Sequence, residues 1–269
     1  MSDTPNFRRS GRHRIRKEIK PVQTIDRALS VLETVSRFRQ MYLSEISRRT
    51  GLHPSTVFRI LETLKQRGYV EYDENTGLYL MGVKAFELGN SYLVERPLSE
   101  FASQAMRHLA GALNETVNLA VQDGSEIVYI KQEESSHTFR MFTKVGARAP
   151  LYCTAIGKVL LAWQDADLVK SLLGDEPYPA FTSKTLTSFY SFMEEVRRVP
   201  VSHYAWDNEE REEGVRCMAA PIHSAEGMAV AAISVSGPTN RFTLSVARQA
   251  IPPLIEAAKE VSRKLGYQE

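Results

Sequence analysis

Three side chains near position 57 have the types and spacing needed to read nucleic acid. Ser55, Thr56 and Arg59 lie off an apolar stripe of Val57, Ile60, Leu61 and Leu64, which recurs at i, i+3, i+4 and i+7. An arginine so placed can bond O6 and N7 of a guanine bidentately in the major groove. Ser55 and Thr56 suit either phosphate bonding or capping of the helix. Lys65 on the same helix, and Arg48 and Arg49 on the segment before it, carry the charge that meets phosphate.

A second set of candidate residues lies in the C-terminal two thirds. Ser234 and Ser236 are two apart in an apolar run, so as strand residues their hydroxyls share a face. Thr154-Ala155-Ile156-Gly157 can open a helix, whose first N–H groups suit an anion. Asp207 can accept hydrogen bonds from ligand hydroxyls, and Arg148 can pair with a ligand charge. The plain alternatives are sheet-edge or turn positions for Asp207, Ser234 and Ser236, and a solvated loop arginine for Arg148. Cys217 sits in VRCMAAPI, where a buried cysteine is usually a small hydrophobe. To act as a nucleophile it would need a histidine beside it, His203 or His223, or another source of low pKa. A zinc site from Asp207, Cys217 and a histidine has no HxxxH or CxxC spacing behind it, so no metal or cofactor is expected.

The elements that must position these groups can be read in order. Thr24–Phe38 repeats Ile25, Leu29, Leu32 and Val35 at helical spacing, with Thr24 as the expected N-cap. Leu43–Thr50 is a short helix and Gly51 a left-handed turn. The next helix opens at His53-Pro54-Ser55-Thr56, with Pro54 in the first turn, where its missing N–H is harmless. Residues 68–81 alternate toward a hairpin around Glu74-Asn75-Thr76-Gly77. Three helices and a two-stranded hairpin make a winged helix-turn-helix over 21–82. Residues 83–97 read as a linker helix interrupted at Pro97, with Tyr92, Leu93 and Val94 as candidate dimer contacts.

From 98 to 269 strands and helices are mixed. Helices are expected at 98–113, 154–163, 165–173, 188–199 (ending at Pro200) and 244–265. Strands are expected at 116–121, 126–132, 139–144, 216–222 and 228–236. The predicted class is α+β, with one sheet flanked by helices in the second domain.

Composition limits the function classes. Of 269 residues, 43% are hydrophobic and 25% charged, which is ordinary globular usage. No run approaches the roughly 18 apolar residues of a membrane span, and the N-terminus lacks the apolar core of a signal peptide. Cys153 and Cys217 lie far apart, as expected of free thiols in a reducing cytoplasm. Charge divides unevenly. Residues 1–80 hold 15 Lys and Arg against 9 Asp and Glu, whereas the remainder holds 19 against 23. That is the pattern of a nucleic-acid-binding head on a mildly acidic body. Residues 1–20, with seven Lys and Arg and no apolar period, read as a disordered basic arm, either a solubilising tail or a contact to DNA phosphates.

Four segments give the chain a family likeness: GLHPSTVFRILETLKQRGYV (51–70), GARAPLYCTAIGKVLLAW (146–163), DNEEREEGVRCMAAPI (207–222) and AAISVSGPTNRFT (231–243). In this order and at these intervals they resemble the IclR family of bacterial transcription regulators, over about residues 21–268. The second and third look most like the subgroup of repressors controlling genes for 2-keto-3-deoxygluconate, a pectin-derived sugar acid. One stretch departs from the family. Residues 197–206 lack the glycine of an RxxGY-type turn and run a few residues longer.

The resemblance implies a GAF-like effector-binding second domain and a homodimer or dimer of dimers on palindromic operator DNA. It also implies a small carboxylate effector, a sugar acid or 2-keto acid. The family's effector positions fall on Met141, Ala155, Ile156, Asp207, Cys217, Ser234 and Ser236. A repressor released by its effector is the leading reading. An activator built from the same parts, or a thiol sensor or enzyme on Cys217, are the alternatives.

Overall fold

The computed structural model describes residues 21–88, 98–138, 141 and 143–268. The basic arm, Tyr92, Leu93, Val94 and the rest of the linker beyond residue 88 lie outside the described residues. The chain divides into two compact units, Met1–Tyr92 and Leu93–Glu269.

In the first unit α1 (Gln23–Phe38) starts one residue earlier than its sequence suggests. Val22 occupies the cap position and makes no side-chain bond, so Thr24 lies inside the helix and is not its N-cap. A two-residue strand β1 (Gln40–Met41) follows, then α2 (Leu43–Thr50) and α3 (Pro54–Gln66). Gly51 caps α2 at φ 68°, a left-handed conformation open to glycine without Cβ cost. The wing is β2 (Val70–Asp73) and β3 (Leu78–Met81). It has three strands, not two, in the order β1-β3-β2, because Gln40 and Met41 pair with Leu80 and Tyr79. Val31, Val35, Ile46, Val57, Leu61 and Val70 close the core from all three helices and the wing. Residues 83–88 begin a further helix, α4.

The second unit is built on one six-stranded antiparallel sheet. Its elements are α5 (Leu98–Leu113), β4 (Thr116–Asp123), β5 (Glu126–Glu133), β6 (Arg148–Pro150) and α6 (Ala155–Leu161). There follow α7 (Ala166–Leu173), α8 (Phe189–Val196), α9 (Val199–Ser202), β7 (Ala205–Asn208), β8 (Val215–His223), β9 (Ala229–Pro238) and α10 (Leu244–Lys264). The strand order is β6-β5-β4-β9-β8-β7. Three expectations change. Met141, Thr143 and Lys144 carry no strand, and the remaining residues of 139–144 lie outside the described set. Pro200 does not end a helix but sits in the first turn of α9, where its missing N–H is harmless. The divergent stretch before Asp207 leads into the edge strand β7.

Side-chain alternation sorts the sheet into two faces. Val117, Leu119, Val121, Met218, Ala220, Ile233 and Val235 pack under α5 and α10. Ala120, Ile127, Ala219 and Ala232 face α6 and α8 on the other side. That second face carries the polar residues of the site.

Candidate functional site

In the helix-turn-helix, α2 and α3 meet at a turn fixed by Gly51 and by Ser47, whose hydroxyl donates to the Leu52 carbonyl at 2.6 Å. His53, not Ser55 or Thr56, is the N-cap of α3: its Nδ1 accepts from the Ser55 amide at 3.4 Å and pairs with the Ser55 hydroxyl at 2.8 Å. Ser55 and Arg59 are exposed and Thr56 is half-buried. Arg59 has no acidic partner among the described residues. Other cations are engaged. Lys65 donates to Glu62 at 2.7 Å, and the Arg49 guanidinium lies 3.8 Å from the Phe38 ring centre and 3.4 Å from Glu45. Arg48 is the freer of the pair, 76% exposed with only a 3.9 Å approach to Glu45. A groove between α1 and α3, lined by Thr24, Arg27, Thr56, Arg59 and Thr63, adds Arg27, which the sequence reading passed over.

In the second unit a cavity of about 350 Å³ opens on the α6 face of the sheet. All seven family positions line it: Met141, Ala155, Ile156, Asp207, Cys217, Ser234 and Ser236. The register explains why. Asp207 lies opposite Cys217, Cys217 opposite Ser236, and Ser236 opposite Thr116, a row across four strands. Directly opposite residues share a face, so one row of polar side chains points into one space. Thr116 continues the row by donating to the Met141 carbonyl at 3.0 Å, which holds Met141 at the wall.

Helix α6 closes the cavity. Thr154 caps it, its hydroxyl accepting from the Gly157 amide at 3.1 Å. Gly157 is required there, because a Cβ would stand 2.0 Å from the Leu151 carbonyl oxygen. With only seven residues in α6, little of the cavity's positive character comes from a helix dipole.

Of the three cations on the wall, Lys144, Arg148 and Arg211, the one lying over an aromatic ring is Arg211. Its guanidinium lies over the Phe181 ring at 3.9 Å, and no carboxylate among the described residues pairs with it. A guanidinium resting on an aromatic ring keeps its donors free for a carboxylate, which its fork can bind bidentately. Arg148 is also on the wall but is pulled outward by Asp123 and Glu126. Sequence reasoning missed Arg211 because it stands in an acidic run, and its aromatic partner is thirty positions away.

Asp207 is 3% exposed. Burial pushes its carboxyl up to about 7, reinforced by Glu210 and opposed by the Glu210 and Arg211 amides that donate to it. Near neutrality it can therefore stand protonated and repel an anion little. The fold binds this proton more tightly than the unfolded chain, so the stability it lends is complete below pH 3.8 and lost as pH rises through 7. Asp207→Asn keeps the acceptor and removes the ionisation. The variant is expected to match the wild type near pH 4 and to exceed it by up to about 4 kcal/mol at pH 8, at 1.36 kcal/mol per pH unit. Denaturant titrations at the two pH values check this.

The thiol readings separate from the histidines. His203 and His223 line a different cavity, beside α10, and not the one holding Cys217. Burial pushes Cys153 up to about 12 and raises Cys217 well above the ordinary thiol range. Among the described residues no group of three His, Cys, Asp or Glu is placed to hold a metal.

Comparison with known proteins decides the family. Residues 24–74 match the IclR helix-turn-helix domain, and residues 90–263 match the bacterial transcriptional regulator IclR C-terminal domain. The chain belongs to the IclR family. It is 36% identical over 253 residues to the HTH-type transcriptional regulator KdgR of Escherichia coli, covering 94% of this chain and 96% of that one. The transcriptional repressor IclR of the same organism is 34% identical over 248 residues, covering 91% and 90%. The solved Thermotoga maritima IclR superposes with a TM-score of 0.77 at 30% identity, covering 92% of this chain and all of that one. This IclR-family chain is thus a DNA-binding transcription regulator with an effector-binding C-terminal domain. No helix among the described residues is long and apolar enough to cross a membrane.

Proposed function

We propose that this chain is a cytoplasmic, non-enzymatic repressor of sugar-acid catabolism genes. In this reading a small 2-keto or sugar acid, such as 2-keto-3-deoxygluconate, releases it from its operator. The observation that carries the reading is the cavity itself. Arg211 offers a carboxylate clamp, and Asp207, Ser234 and Ser236 offer hydroxyl-bonding groups in the same cavity. An anion with several hydroxyls or a keto oxygen satisfies both. Met141, Ala155, Ile156 and Cys217 supply the apolar remainder of the wall. On DNA, Arg59 reads base edges, Ser55, Thr56 and Arg48 contact the backbone beside it, and Arg49 and Lys65 join once they leave their acidic partners.

We assign 1–20 as a basic arm, 21–82 as the DNA-binding head, 83–97 as linker and 98–269 as the effector domain. The division of the chain at Tyr92 supports the assignment. A homodimer, alone or as a dimer of dimers, is supported by apolar surface on the head. Val22 at the cap of α1 and Ile25 and Leu29 within it form an exposed stripe, and Val83 and Phe86 are exposed on α4.

A thermal-shift screen of 2-keto and sugar acids tests the effector. One acid is expected to raise the melting temperature, by an amount set by its concentration over Kd, and to lower operator affinity in a gel shift. Arg211→Ala should lose both responses while still melting and binding operator normally. An acid that tightens operator binding would favour the activator reading, and the absence of any stabilising acid would refute the effector class.

A further inference from the structure

We propose that Phe58 reads sequence, its ring seating against the C5-methyl group of a thymine in the major groove. The inference rests on α3 being the DNA-entering helix. Phe58 is 49% exposed although it is one of the largest apolar side chains of the head. It lies in the N-terminal half of α3, the part that reaches base edges in this motif, directly before Arg59. At 100° per residue it points about a quarter turn away from the buried Val57 and toward the flank of the face carrying Ser55, Arg59 and Gln66.

Two of the other exposed rings of the head have partners; Tyr42 precedes α2 and Phe86 is on α4, so neither is on the DNA-entering helix. Phe38 lies under the Arg49 guanidinium, and Tyr72 packs against Tyr79 with Lys65 above it. No ring or cation among the described residues stacks on Phe58. An apolar ring held out on a DNA-reading face, between groups suited to phosphate and guanine, is complementary to the one apolar feature of the major groove, the thymine methyl. Consecutive Cα atoms are 3.8 Å apart and base pairs about 3.4 Å. The thymine should therefore lie within a base pair or two of the guanine bonded by Arg59.

The test uses the full chain and duplexes that it selects from a random pool. Each thymine of a selected duplex is replaced in turn by deoxyuridine, which removes only the methyl. Affinity is then measured for the wild type, Phe58→Ala and Phe58→Leu, with melting temperature and oligomeric state as controls. One thymine per half-site is expected at which deoxyuridine weakens the wild type about fourfold, the effect of one buried methyl group. At that thymine Phe58→Ala should show no penalty and Phe58→Leu a reduced one. Equal penalties in wild type and Phe58→Ala at every thymine would overturn the role of Phe58. So would a loss of self-association in Phe58→Ala with thymine discrimination intact, since Phe58 would then face a second copy. Selection of no duplex at all would overturn the DNA reading of α3 itself.

Discussion

Arg59→Ala abolishes operator binding in a gel shift and leaves the melting temperature unchanged. Both halves of this expectation follow from the free protein. The Arg59 side chain is exposed and pairs with no acid among the described residues, so its removal opens no cavity and strands no buried charge. Alanine is also the better helix former. Surface changes of this kind stay within about 0.5 kcal/mol of neutral. On DNA the balance reverses. A bidentate arginine–guanine pair is worth about 1–3 kcal/mol, and a two-fold dimer on a palindrome loses it twice. The loss is then roughly 30-fold to more than 10⁴-fold in affinity. Arg59→Lys separates charge from geometry. It keeps the point charge, and with it the salt dependence of non-specific binding, but lacks the fork that fits O6 and N7. It should therefore bind competitor DNA like the wild type while losing preference for the operator. Retained operator preference in either variant would remove Arg59 from base reading.

The parts of the molecule legible in sequence are those specified locally. The stripe through Val57, Ile60, Leu61 and Leu64, the left-handed Gly51 and the apolar runs of β8 and β9 each fix their element within a few residues. The seven cavity positions were found through family motifs; spacing alone gave only the shared face of Ser234 and Ser236. What was missed is specified by distant partners. A two-residue strand such as Gln40–Met41 has no period to read, and only Leu80 and Tyr79 give it a register. Strand β7 is absent from the strands expected of the sequence because its extended form comes from pairing with Arg216–Ala219. Arg211 stands among acids that suggest a solvated turn, and Phe181 is what turns it into a cavity wall. Thr24 failed as a cap because a good cap residue does not force a helix to start there: α1 gains a residue from Val22 without one.

Lys158 shows the same dependence on distant partners and carries the largest expected effect on stability. Its side chain is fully buried, donating to Glu210 at 2.6 Å and to the Trp206 carbonyl at 2.7 Å. In this way α6 is tied to the turn that follows β7 and carries Arg211, and Thr185 secures the same turn by donating to the Glu210 carbonyl at 2.6 Å. The second Glu210 oxygen has no partner among the described residues, so the pair is already incompletely satisfied there. Lys158→Ala leaves a buried carboxylate and a buried carbonyl without their donor. Breaking one side of such a pair costs about 3–5 kcal/mol. The cost depends on pH. Burial already raises Glu210 and Lys158 opposes that rise, so without the lysine the carboxyl moves higher still. The folded variant then holds a proton that the unfolded chain releases above its ordinary glutamate range, and stability falls as pH rises. The gap from wild type should be wider at pH 8 than at pH 5. Lys158→Met with Glu210→Gln removes both charges and should recover most of the loss, because an apolar or neutral replacement of a buried pair is often near neutral. The double variant should nevertheless bind effector weakly, since the turn that aims Arg211 would have lost its tether to α6. Chemical denaturation at both pH values, with the double-variant cycle, measures the coupling. Additive losses would mean that Lys158 and Glu210 stabilise the fold independently and that the tether does not exist.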